Sequence, residues 1–225
     1  MPPACFPSRR LVALALSIVP ALFALPASAQ VDPGEGGAAA RVTVERRTLE
    51  TYPFDGANPI PVLASDERLY PYHRFEGYAH TSEAREWTVV HLENDWIEVW
   101  VLPEVGGKVW GARVKETGHE FIYRNEVMKF RNIALRGPWT SGGIEFNFGV
   151  IGHTPATATP VDYTTRANDD GSASVLVGAT DLPSRTRWRV EVRLPADAAY
   201  FETRALWENP TPLEQPYYNW MTGAA

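Results

Sequence analysis

The segment "RGPWTSGGIEFNFGVIGHTP" (136–155) brings a carboxylate, a carboxamide and an imidazole close together in sequence, at Glu145, Asn147 and His153. A glutamate can act as a general base or a nucleophile. Histidine titrates near neutrality and suits proton transfer at a hydroxyl or a ring oxygen. With a strand's period of two, Ile144, Phe146 and Phe148 share one face, and Glu145 and Asn147 share the other. A slip of one residue would bury a carboxylate, so the register is specified. The pattern predicts the apolar three between two sheets, with Glu145 and Asn147 facing a concave cleft or solvent. His153, just past a Gly-Val-Ile-Gly turn, falls near the rim. Against this stands the ordinary fate of each type, a solvated strand face for glutamate and a structural or surface role for histidine. The candidate catalytic residues are Glu145 and His153. Asn147 is a candidate substrate contact, and Trp139, Trp110 and Trp220 are candidate stacking platforms, although a buried core role is commoner for any one tryptophan.

Other chemistries find little support. His73, His80, His91 and His119 show no metal-ligand spacing, so no metal and no cofactor are assigned. No Gly-x-Ser-x-Gly elbow exists to carry a serine triad. Gly106-Gly107, after Pro103, reads as a positive-φ turn, not a phosphate cradle, because no helix start follows it.

The elements that must position these residues are strands. "RVTVERRTLETYPF" alternates as a strand, and Asp55–Tyr72 is broken by Pro59, Pro61 and Pro71 into extended, irregular chain. "WTVVHLEN" and "DWIEVWVLP" form a hairpin across Asn94-Asp95. "GGKVWGARVK" and "HEFIYRN" meet across Glu116-Thr117-Gly118. "GGIEFNFG", "TATPVDYTTRA", "SASVLVGAT", "RTRWRVEVRLP" and "AYFETRALWEN" follow, with a polar turn at Asn168–Ser172. In "RTRWRVEVRL", Trp188, Val190, Val192 and Leu194 alternate with charged residues, as in an antiparallel sheet with one wet face. The best helical candidate after the leader is a short turn around Ser82–Arg85. Many short strands at even spacing predict an all-β sandwich or barrel.

The first 29 residues read as a secretory signal peptide. Arg9 and Arg10 form its basic start, Leu11 to about Leu25 its apolar stretch, and Ala27-Ser28-Ala29 its cleavage pattern. The apolar run is interrupted by Pro20 and falls short of the roughly 20 residues a membrane span needs. The expectation is a periplasmic or secreted protein with a flexible leader at 30–41 and a domain at 42–225. The single cysteine, Cys5, lies in the leader peptide, so the mature chain of 196 residues has neither thiol nor disulfide. Without Arg9 and Arg10 the chain has 19 Lys and Arg against 27 Asp and Glu, a formal charge of −8. That disfavours nucleic acid and anionic membrane surfaces as partners. Eight tryptophans, nine tyrosines and nine phenylalanines suit a large β core and the C–H faces of sugar rings.

"VLPEVGGKVWGARVKETGHEFIY" (101–123) resembles the early strands of the galactose-mutarotase-like superfamily. Together with "IALRGPWTSGGIEFNFGVIGHTPATATPVDY" it resembles, more closely, the bacterial DUF5107 family, with "GPWTSGGIEFNF" as the most specific block. The likeness runs from about Thr51 to the chain end. It implies an antiparallel β-sandwich of supersandwich type, handling a saccharide on its concave face as an epimerase or a glycoside hydrolase would. Members of the family often carry tetratricopeptide repeats after this domain, and the mutarotase-like carboxylate comes late in the domain. The resemblance therefore implies strands continuing past "YYNWMTGAA", so that 42–225 reads as a truncated domain. The alternatives are a non-catalytic carbohydrate-binding domain and an inactive fragment of a longer protein.

Overall fold

The computed structural model describes residues 38–54, 61–62, 72–73, 79–132, 138–149, 153 and 155–225. The expected signal peptide, most of the leader and most of the proline-broken segment 55–72 lie outside the described residues.

Among the described residues, sixteen strands follow one another. They are β1 (Arg41–Tyr52), β2 (Pro61–Val62), β3 (Tyr72–His73), β4 (Glu83–Glu93), β5 (Ile97–Leu102), β6 (Lys108–Val114), β7 (Glu120–Ile122) and β8 (Val127–Lys129). Then come β9 (Arg131–Asn132), β10 (Pro138–Trp139), β11 (Ile144–Phe148), β12 (Asp162–Ala167), β13 (Ala173–Thr180), β14 (Arg187–Leu194), β15 (Glu202–Glu208) and β16 (Asn219–Gly223). A short 3₁₀ turn covers Pro155–Ala158. The large sheet runs β16-β11-β6-β5-β4-β1-β8, with β7 paired to β6, and a four-stranded sheet runs β12-β13-β14-β15. The all-β sandwich expected from the strand pattern is what forms.

The main core lies between the two sheets. Val90, Leu92, Val99, Val101, Phe146 and Phe148 of the large sheet pack on Val175, Val177, Trp188, Val190 and Val192 of the smaller one. Phe148 stacks on Trp188, with ring centroids 5.0 Å apart. The alternation of β14 appears as expected, with Trp188, Val190, Val192 and Leu194 buried. On the other side of the large sheet a second cluster gathers Trp87, Val89, Trp100, Leu102, Trp110, Met128 and Phe130. Both faces of that sheet are therefore covered over much of its width.

The hairpin turns have local causes. Asn94 Oδ1 accepts the backbone N–H groups of Trp96 and Ile97, both at 2.9 Å, which closes the β4–β5 turn. Its Nδ2 donates to Pro195 O at 2.9 Å and Ala198 O at 2.7 Å, tying that turn to the β14–β15 connection. Gly106 and Gly107 both have φ of +68°, as expected for a structural turn. A Cβ on Gly107 would sit 2.7 Å from Val177 Cβ, so this glycine also lets the sheets close on each other.

Two expectations are corrected. Glu83–Arg85 are not helical but open β4, pairing with Thr51, Glu50 and Leu49 of β1. The long ladder between β1 and β4 outweighs any local turn preference. The sandwich is also not purely antiparallel, because β8 joins β1 in parallel through Glu50–Val127, Thr51–Met128 and Tyr52–Lys129.

Candidate functional site

The opening segment folds as β11, in the large sheet between β6 and β16. Gly143 enables this. Its φ is +69°, and a Cβ there would lie 2.1 Å from the Val109 carbonyl oxygen. Only glycine allows the chain to turn so close to β6. Phe146 and Phe148 then enter the inter-sheet core, and Ile144 packs partly against it. Glu145 and Asn147 project to the opposite face, as the alternation requires.

That face is not open as expected, since Glu145 is 5% exposed and Asn147 is fully buried. A buried carboxylate needs donors. Glu145 Oε2 accepts Trp139 Nε1–H at 2.6 Å, and Oε1 accepts Asn147 Nδ2–H at 3.1 Å. Asn147 Oδ1 accepts the backbone N–H of His153 at 2.7 Å. A backbone N–H can only donate, so the amide orientation of Asn147 is determined and Nδ2 must face Glu145. Both ends of the amide are thus committed within the protein. Asn147, expected as a substrate contact, braces the two residues on either side of it.

His153 has φ of +50°, in the left-handed region that non-glycine residues seldom occupy. The hydrogen bond from its N–H to Asn147 holds it there. This places Nδ1 2.9 Å from Glu145 Oε1, although the ring is turned so that no aligned hydrogen bond forms. The imidazole sits edge-on to two indoles, 6.1 Å from Trp139 and 5.2 Å from Trp220. Sites that hold a backbone in a rare conformation are commonly functional ones.

Trp220 reaches the site because β16 pairs with β11, setting Trp220 opposite Asn147 and Thr222 opposite Glu145. It is 40% exposed and offers a ring surface beside His153. Trp139 lies half-buried. Trp110 does not fit its expected role: at 3% exposure it is packed in the second cluster, with no ring face free for a sugar. The structure therefore brings together Glu145, Asn147, His153, Trp139 and Trp220, and leaves Trp110 in the second cluster.

Sequence reading missed Lys108. It begins β6, is 2% exposed, and donates from Nζ to Thr140 O at 3.0 Å. Val109 pairs with Ile144, so Lys108 stands one register step along, opposite Glu145. Burial lowers its pKa to about 8, and the Glu145 charge opposes that fall. The hint in the sequence was a lysine immediately before the apolar run 109–112 of its strand.

The structure also gathers His91, Glu93 and Glu98, whose ligand atoms lie within 4.8 Å of one another. Their separation in sequence concealed this, since the β4–β5 hairpin sets Glu93 opposite Glu98. A cation there would have to displace Lys115, whose Nζ is 3.1 Å from Glu93 Oε2, and Arg113, which pairs with Glu98.

A two-sheet all-β sandwich with a carboxylate–imidazole pair braced on one face of its large sheet is the class that fold and site define. Residues 65–225 match the family model described as "Domain of unknown function (DUF5107)". The chain belongs to the DUF5107 family. It is also similar to the crystal structure of a TPR-domain containing protein from Parabacteroides distasonis ATCC 8503, with 26% identity and a TM-score of 0.74. That match covers 83% of this chain and 32% of the other, so the chain spans about a third of that protein's length.

Proposed function

We propose that this is an exported carbohydrate-active domain of galactose-mutarotase-like type, taking a saccharide beside Glu145, His153 and Trp220. The observation that carries the reading is the approach of His153 Nδ1 to 2.9 Å from Glu145 Oε1, beside the exposed indole of Trp220. A carboxylate paired with an imidazole suits proton transfer in an epimerase: one group takes the anomeric hydroxyl proton while the other protonates the ring oxygen as the ring bond to the anomeric carbon breaks. The reverse transfers close the ring on the other face. An indole surface beside the pair suits the C–H face of a sugar. A second reading, binding without turnover, is favoured by the burial of Glu145 at 5% exposure.

The test uses calorimetry of the full chain against neutral mono- and disaccharides, and polarimetry of freshly dissolved α-D-glucose and α-D-galactose. Glu145→Gln keeps the shape and removes the charge, so it is expected to abolish most turnover with an unchanged circular dichroism spectrum. His153→Ala is expected to lower turnover less. Binding without any turnover in the wild type selects the second reading. Binding and turnover unchanged in both variants would overturn the site.

A further inference from the structure

Lys108 is the buried titratable group that the proposed chemistry does not use. An ammonium at 2% exposure loses its hydration and must recover it from acceptors. It has three N–H groups, and the hydrogen bond found for it goes to Thr140 O. The Thr140 hydroxyl, on the same residue, is buried without a hydrogen-bond partner. Glu145, opposite Lys108 across the β6–β11 pair, acts on it as a nearby charge without a direct ion pair. From β5, the residue opposite Lys108 is the apolar Leu102. The Trp110 ring lies 5.8 Å from Nζ. Among the described residues Glu145 is the charge that acts on Lys108 electrostatically.

We propose that Lys108 is a positioning residue of this site, its buried ammonium compensating the Glu145 carboxylate across the β6–β11 pair and holding it aimed at His153. The inference rests on the saccharide reading for its functional consequence, but not for the pairing itself. Trp139 and Asn147 supply neutral donors to Glu145, and Lys108 supplies the positive charge that a carboxylate needs in a dry setting. Lys108 is held near 8, so the compensation is present at neutral pH and lost as pH rises through that value. An arginine in its place would stay charged.

The pairing is tested without any ligand. A double-mutant cycle with Lys108→Met, Glu145→Gln and both together is read by thermal midpoint in the full chain at pH 7. Each single change strands one buried polar partner, so the double variant is expected to lose less than the two singles combined. Where Lys108→Met fails to fold, labelled-lysine carbon NMR of wild type and Glu145→Gln serves instead. The Lys108 midpoint is expected near 8 in wild type and about one pH unit or more lower in Glu145→Gln. Additive midpoints, or an unmoved Lys108 titration, overturn the proposal. The functional half is read by saccharide turnover or binding against pH. Wild type is expected to lose it with a midpoint near 8, and Lys108→Arg to retain it to higher pH. An alkaline profile that Lys108→Arg leaves unchanged overturns the positioning role. Coupled midpoints in a protein whose saccharide readouts ignore Glu145→Gln would refute the saccharide reading and leave the pairing standing.

Discussion

Lys108 changes what its strand costs. Its folded-state pKa is about 8 against the ordinary 10.5, with burial as the larger cause and Glu145 opposing it. Between those values the unfolded chain still holds the proton that the folded chain has released. Stability therefore rises with pH across that window. Below about 8 both states are protonated, and the buried ammonium carries its full penalty, on the order of 3 kcal/mol from the size of the shift. Urea midpoints of wild type and Lys108→Met, taken at intervals from pH 7 to 10.5, are expected to diverge by that amount in favour of wild type as pH rises. A pH-independent difference would contradict it. A site that retains such a group trades stability for charge beside Glu145.

At the scale of the element, β11 carries the site and Gly143 decides whether β11 can lie against β6. Gly143→Ala combines φ of +69° with a Cβ 2.1 Å from a carbonyl oxygen. It is expected to cost about 3 kcal/mol or more, since backbone on backbone has no flexible end to move. Gly118→Ala is the control. Gly118 has a similar φ, +71°, with nothing within 4 Å of the added carbon. It should cost about 1–2 kcal/mol, the conformational penalty alone. Chemical denaturation of both variants checks this, and equal losses would show that β11 has room to shift. The hairpin turns and strand alternation were legible from residue order. Asn94-Asp95 closes β4–β5 because the Asn94 side chain caps its own turn, and β14 alternates because its two faces meet core and solvent. The start of β4 was not legible, because Glu83–Arg85 take their conformation from β1, more than 30 residues earlier.

At the scale of the molecule, the two sheets are joined by apolar packing and by polar ties, a buried side chain among them. Asn94 is 4% exposed and donates to Pro195 O and Ala198 O. Asn94→Ala removes both bonds and the turn cap, and is expected to cost about 2–4 kcal/mol. Asn94→Asp keeps the turn acceptor but sets a buried carboxylate oxygen against the two carbonyls, so it is expected to lose at least as much. Thermal unfolding of both variants checks the order; a clearly smaller loss for Asn94→Asp would place the tie's worth elsewhere. The proposed export is tested by intact mass. Periplasmic protein is expected to begin at Gln30, and cytoplasmic protein retaining Met1 would contradict it.

Residue order alone determined that this chain is a β-sandwich, where most strands start and turn, and that Glu145 and Asn147 share a face opposite Phe146 and Phe148. These are consequences of local periodicity and turn chemistry, which act over a few residues. Sheet order, the parallel β1–β8 pair, the burial of Trp110 and Lys108, and the meeting of Glu145 with His153 were decided by tertiary structure. Each depends on pairings between distant strands and on what covers a sheet face. A period of two names the face a side chain points to. Only the packed molecule, by bringing β6, β16 and Trp139 around β11, settled that this face is closed over its carboxylate and not open to water.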